Sequence, residues 1–200
     1  MIDTIVFDIG NVLMGFDPMA YLRRILPDEE TVQRVNGAIW GTGCWNALDH
    51  GDDEAETVRR MLAAEPGLEQ EVRCAFENIG QCMSVREYAA VWIRDLKARR
   101  YRVLYLSNYS EHAMRANPDV LYFLPETDGG VFSCREKLMK PDPAIYRLLC
   151  ERYALTPERC IFIDDNGENV EAARRFGMKA IRFTDFEATS AALDEALSPA

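Results

Sequence analysis

The stretch Thr4-Ile5-Val6-Phe7-Asp8-Ile9-Gly10-Asn11-Val12-Leu13 decides how the rest of the chain is read. Four β-branched or aromatic residues in a row, ending at an Asp and closed by a Gly-Asn pair, are the pattern of a short buried strand followed by a turn. Asp8 then has two readings. An Asp ahead of such a turn often serves the turn itself. A carboxylate fixed at a strand end is also an established covalent nucleophile in phosphoryl chemistry.

The same pattern recurs twice. Arg102-Val103-Leu104-Tyr105-Leu106 is closed by Ser107-Asn108, and Cys160-Ile161-Phe162-Ile163 is closed by Asp164-Asp165-Asn166-Gly167. Weaker strand patterns occupy 130–133 and 180–183. Helix-period segments lie between them. Val85, Tyr88, Ala89, Trp92, Ile93 and Leu96 share one apolar face, Ile145, Leu148 and Leu149 begin another, and Val170 and Ala173 form a third that stops at Gly177, a C-cap residue. Alternating strands and helices predict an α/β fold, a Rossmann-like parallel sheet covered on both faces. Such sheets bind ligands beyond the carboxyl ends of their strands. Asp8, Ser107 and Asp164-Asp165 all fall there.

From residue 14 to residue 83 no strand pattern is found. Helical patterns over 19–26, 29–40, 54–64 and 68–79 fill that stretch, with Asp28 and Asp52-Asp53 as N-caps and Pro27, Gly51 and Pro66-Gly67 as breaks. The expected organisation is a core of residues 1–13 and 84–200 carrying a helical cap, 14–83, after the first strand.

Bulk properties narrow the function. Two hundred residues make one domain, or a core with a modest insertion, and 48% apolar content suffices to bury a core. A net charge of −10 argues against bulk nucleic-acid binding. No apolar run reaches the ~18–20 residues of a membrane span. Met1-Ile2-Asp3-Thr4 lacks the basic start of a secretory signal. Six scattered cysteines without a CxxC pair read as reduced thiols in a cytoplasmic protein. His50 and His112 stand far apart and give no zinc-ligand spacing. Oligomeric state leaves no signal.

The remaining polar residues each carry two readings. Ser107 and Asn108 suit a turn, and a hydroxyl with exposed amide donors also suits phosphate oxygens. Lys140, in Met139-Lys140-Pro141-Asp142-Pro143, is either a solvated charge or a cation held on a stiff turn for a phosphoryl group. Asp164 and Asp165 could cap the next helix, a role that suits Asn166 better. Together they repel one another unless a cation offsets them, and Mg²⁺ favours one or two carboxylates plus carbonyl, water and phosphate oxygens.

Strand-Asp, strand-Ser, Lys-Pro and strand-Asp-Asp, in that order and with a helical insertion after the first, resemble the four motifs of the haloacid dehalogenase superfamily. The resemblance runs from Ile5 to about Phe183. It leans towards the branch with a "FDLGNVL"-type motif, which includes bacterial sugar-1-phosphate phosphatases and the phosphatase domain of soluble epoxide hydrolase. It implies a Mg²⁺-dependent phosphatase acting on small phosphorylated metabolites, sugar phosphates among them, through an aspartyl phosphate. Asp8 would be nucleophile and metal ligand, Ser107 and Asn108 would hold the phosphate, and Lys140 would balance the charge of both. Asp165 would ligate the metal directly, with Asp164 beside it directly or through water, and Asn169 would fix that loop. The first strand would be central, with the Asp164 strand beside it.

One position departs from the pattern. Many family phosphatases carry a second Asp two residues after the nucleophile, as general acid and base; here it is Gly10. Its carbonyl still serves a metal, but proton transfer, typically worth ~10²–10⁴-fold, loses its group. A good leaving group such as an anomeric sugar phosphate, a donor such as Asp17 or another cap residue, or a weakly active or non-catalytic phosphoryl binder would each account for it. A dehalogenase is the competing activity. It needs no metal, and Asp164-Asp165 argues against it. Trp40, Trp45, His50 and the Gly41-Thr42-Gly43 break are candidates for the substrate pocket, although such aromatics are more often core.

Overall fold

The computed structural model describes residues 1–198. Its main sheet has five parallel strands: β1 Thr4–Phe7, β4 Arg102–Ser107, β5 Gly130–Phe132, β6 Cys160–Asp164 and β7 Lys179–Arg182, in the order β5-β4-β1-β6-β7. The α/β expectation holds, with β1 central and β6 at its side. The period of two divides the core between the two faces. Ile5 and Phe7 join Val103, Ile161 and Ile163 on one face, while Val6 joins Leu104, Leu106 and Phe162 on the other. Each such fully buried side chain contributes about 1.5–3 kcal/mol.

Helices α1 Pro18–Ile25, α2 Glu29–Asn36, α3 Cys44–His50, α4 Glu54–Ala64 and α5 Glu69–Glu77 follow β1. Six more follow: α6 Tyr88–Ala98, α7 Glu111–Ala116, α8 Ser133–Glu136, α9 Pro143–Tyr153, α10 Gly167–Phe176 and α11 Phe186–Leu197. Capping follows the chain's own residues. Asp17, Asp28, Asp53, Ser110, Asp142 and Asn166 each accept a backbone N–H at the start of a helix, and α10 ends at Gly177 with φ 107°.

Two expectations fail between residues 14 and 85. The stretch is not free of strands: β2 Met14–Phe16 pairs antiparallel with β3 Met83–Val85, Met14 opposite Val85 and Phe16 opposite Met83. Three residues are too few for an alternation to register, and the pairing joins segments distant in sequence. Val85 is correspondingly an exposed strand residue and not the start of the α6 face. Helix α3 was also unread. It begins at Gly43, whose φ of 75° lies in the left-handed region, with no side-chain cap to announce it.

The five helices pack onto the core through one continuous apolar cluster, in which Leu22, Val35, Ile39 and Met61 join Phe7, Ile9 and Ile93. Polar ties reinforce it. On α7, Arg115 binds Glu54 of α4, and His112 Nε2 lies 3.1 Å from the Phe76 carbonyl of α5. No described helix is long and apolar enough to cross a membrane.

Candidate active site

Register brings the polar strand ends together. Phe7 pairs with Ile163, and the ladder continues one residue further, the Asp8 N–H donating to the Ile163 carbonyl at 2.8 Å. Asp8 and Asp164 therefore end adjacent strands at the same level, with Ser107 on the other side of β1 at the end of β4.

Lys140 completes the cluster from the loop before α9. Its ammonium lies 2.8 Å from Asp8 Oδ1 and 2.6 Å from Asp164 Oδ2. Asn108 holds the backbone of Lys140 on both sides, Nδ2 donating to its carbonyl and Oδ1 accepting from its N–H, each at 2.9 Å. The Asn108 side chain is thus occupied in placing Lys140. Asp164 is wholly buried: Asn169 Nδ2 donates to both its oxygens, and the Asn166 N–H donates to Oδ1 at 2.8 Å. Asp165 is only half-buried, and Asn11 Nδ2 reaches its Oδ2 at 3.2 Å. Asn11, with φ 56°, also accepts the Phe16 N–H of β2, so one side chain ties Asp165 to the two-stranded stem.

Two polar atoms here are buried without a directed hydrogen bond: Asp8 Oδ1, close to the ammonium but poorly aligned with it, and Ser107 Oγ. Unspent buried polar atoms are costly and gather where a ligand supplies the missing partner. Burial pushes the Asp8 carboxyl up to about 6; Lys140 pulls against that shift and Asp164 adds to it. Burial also works against the charge of Lys140, but Asp164 and Asp8 outweigh it and hold the ammonium above the ordinary lysine range. Asp165 is raised, by burial first, with Asn11 opposing and Asp164 adding. One oxygen from each of Asp8, Asp164 and Asp165 lies within 4.8 Å of the others, a spacing that suits one cation.

Only four Asp, Glu, Lys or Arg side chains are buried among the described residues: Asp8, Lys140, Asp164 and Asp49. The fourth escaped sequence reasoning. It lies in the last turn of α3, where an acid opposes the helix dipole, and such a local misfit is the signal that was available. Asp17, the named candidate for a proton donor, is exposed and serves as the N-cap of α1, accepting the Ala20 N–H at 2.9 Å. His50 turns outward to Asp52. Trp40 and Trp45 are half-buried and pack against each other and Phe16 in tilted and edge-on arrangements, at centroid separations of 5.6–6.4 Å. Gly10 has open space where a Cβ would stand, and its backbone is not in the left-handed region.

A family model of haloacid dehalogenase-like hydrolases matches residues 2–177. The chain belongs to that family. It is 25% identical to the sesquiterpene phosphatase AstK of Aspergillus oryzae, over 92% of this chain and 91% of that one. It is 27% identical to (S)-2-haloacid dehalogenase 4A of Burkholderia cepacia, over 60% of this chain and 51% of that one. Among solved structures, a family enzyme of Bacteroides thetaiotaomicron in complex with magnesium and inorganic phosphate superposes with a TM-score of 0.71 at 19% identity, covering 92% of this chain and 95% of that one. That superposition establishes the shared fold of this hydrolase.

Proposed function

We propose that this hydrolase is a Mg²⁺-dependent phosphomonoesterase that transfers the phosphoryl group of a small phosphorylated metabolite to Asp8 and then to water. The observation that carries it is the Lys140 ammonium seated between Asp8 and Asp164, beside a third acid at cation-binding distance. Phosphoryl transfer demands this combination of a fixed nucleophile and converging positive charge.

Asp8 and Asp165, with the Gly10 carbonyl, would hold the Mg²⁺; the carboxylate oxygens of Asp8, Asp164 and Asp165 within 4.8 Å of one another support the fit. Asp164, its oxygens engaged by Lys140, Asn166 and Asn169, would sit behind them. When bound, the ion neutralises charge on the phosphoryl oxygens. Lys140 favours the ionised, nucleophilic form of Asp8 and attracts a phosphoryl oxygen. Ser107 Oγ, buried and unpartnered, would donate to another, and Asn108 contributes by locking Lys140 in place. The helices between β2 and β3 would act as a cap selecting the substrate. Asp8 is 8% exposed, and a movement of these helices would open it further to substrate. Six unpaired thiols fit a reducing, cytoplasmic setting, and the net charge of −10 fits a small-molecule substrate better than a nucleic acid.

The likeness to a haloacid dehalogenase supports a second reading, halide displacement by the same Asp8. Three acids at one cation's reach stand against it. The test is hydrolysis of p-nitrophenyl phosphate and release of halide from 2-chloropropionate, each with Mg²⁺ and with EDTA. Phosphate release that needs Mg²⁺ and vanishes in Asp8→Asn is the expected result. Turnover indifferent to EDTA, or retained in Asp8→Asn, overturns it.

A further inference from the structure

The Asp8 nucleophile lacks an acid beside it on its own loop, and the one buried carboxyl among the described residues outside the Asp8–Lys140–Asp164 cluster belongs to α3, which packs at the end of β5. Asp49 is 7% exposed, and no salt bridge joins it to any described residue. Its helix is seated firmly. The Asp49 carbonyl accepts the Ser133 hydroxyl at the end of β5, and that hydroxyl in turn accepts the Tyr109 N–H at 3.0 Å. Two residues on, Gly51 has φ 89°, and a Cβ there would overlap the Cys134 carbonyl oxygen. Backbone thus meets backbone, and the carboxyl is placed by the core although it arrives on the helical segment.

We propose that Asp49 is the general acid and base of the reaction, taking the role for which Gly10 has no side chain. The inference rests on the phosphatase reading above. In-line displacement requires the leaving oxygen to depart opposite Asp8, and α3 reaches this edge through Ser133 to Tyr109, two residues past Ser107. An Asp8 oxygen bonds to phosphorus as the bond to the leaving oxygen breaks, and that oxygen takes the Asp49 proton to leave as an alcohol. Asp49, now ionised, takes a proton from water entering at the vacated position. The hydroxide oxygen bonds to phosphorus, the Asp8–phosphorus bond breaks, and inorganic phosphate, the Asp8 carboxylate and protonated Asp49 remain. One ester and one water are consumed; one alcohol and one phosphate are formed.

Electrostatics agree with the starting state. Burial first and the charge of Asp8 second push the Asp49 carboxyl up to about 8, with Lys140 and Trp45 opposing, so it carries its proton at neutral pH. Asp17 is exposed and engaged in capping, so it leaves this role open.

The test compares wild type, Asp49→Asn, Asp8→Asn and the double variant Gly10→Asp/Asp49→Asn on an aryl and an alkyl phosphate. Nitrophenolate needs no proton to leave, whereas an alkoxide does. Asp49→Asn is therefore expected to give a burst of one nitrophenolate per enzyme followed by slow turnover, because the phosphoenzyme forms and then waits for a base. On the alkyl ester both steps fail, with a loss of about 10²–10⁴-fold and no burst. Gly10→Asp in the same chain restores steady turnover on both. Rates within about threefold of wild type in Asp49→Asn, or equal losses on both esters without a burst and without rescue, overturn the role of Asp49. If Asp8→Asn is inert while Asp49→Asn is normal, the phosphatase reading survives and only this inference falls.

Discussion

Asp49 is buried in a protein whose unfolded chain would expose it, and burial holds its carboxyl at about 8 against an ordinary value of 3.8. A raised carboxyl contributes stability that is complete below the unfolded value and is lost as the pH rises towards the folded one. Asparagine has nearly the same shape and cannot ionise, so Asp49→Asn removes that loss. At ~1.4 kcal/mol per pH unit, the gain over wild type grows between about pH 5 and pH 8 by at most about 4 kcal/mol. Water entry and side-chain relaxation soften such sites, and a growth of about 2 kcal/mol is expected. For a chain of this size that is a widening of the Tm difference by about 4–8 °C. The assay is thermal unfolding followed by circular dichroism, in EDTA, at several pH values. Asp165 titrates in both proteins and cancels in the difference, and the repulsion between ionised Asp8 and ionised Asp49 is part of the loss that the amide removes. Any fixed effect of the amide shifts all points equally, so the slope is the readout. A Tm difference that stays flat or narrows as pH rises refutes the reasoning. A variant that gains stability while losing turnover is also the usual mark of a strained functional group.

Other perturbations follow from the same geometry. Lys140→Met leaves Asp8 and Asp164 buried face to face, and the loss of one partner from such a cluster costs about 3–5 kcal/mol. Urea unfolding should show that loss at neutral pH and a smaller one as the pH falls through the range where Asp8 takes up its proton. Gly10→Asp meets open space, so its melting temperature should stay near wild type, and placed in the Asp49→Asn chain it should raise alkyl-phosphate turnover at least about tenfold over Asp49→Asn alone. Unchanged or lower turnover counts against it. Gly51→Ala combines a left-handed φ with overlap on the Cys134 carbonyl and should cost upwards of about 2 kcal/mol in the same urea experiment.

What the sequence disclosed depended on how far each element's stability was local. β1, β4 and β6 were legible because they are buried on both faces and so are written almost wholly in apolar residues. Asp8, Ser107, Lys140 and Asp164-Asp165 were legible because each closes or follows such an element. β2 and β3 exist only through each other, across a gap that no local window spans. Asn11 read as a turn residue, since its partners, Phe16 and Asp165, are assembled by that pairing and by the sheet. Asp49 lay hidden for a related reason: an acid near a glycine reads as solvent-facing until the helix that carries it, and the core that covers it, are known.

Asn11 has a consequence for how the cation and the helical segment communicate. One end of its side chain holds the stem through which the chain enters that segment, and the other end holds Asp165. A swing of the helices that turns the stem also turns the partner of a proposed metal ligand. Thermodynamic linkage makes such a connection symmetrical. Were closure of the segment to tighten Mg²⁺, Mg²⁺ would favour closure by the same factor, and a substrate too large to be enclosed would be met by a weaker metal site. Selectivity would then be exercised through the affinity of an ion as well as through the shape of a pocket, and titrations of Mg²⁺ with small and bulky phosphate analogues would read it directly.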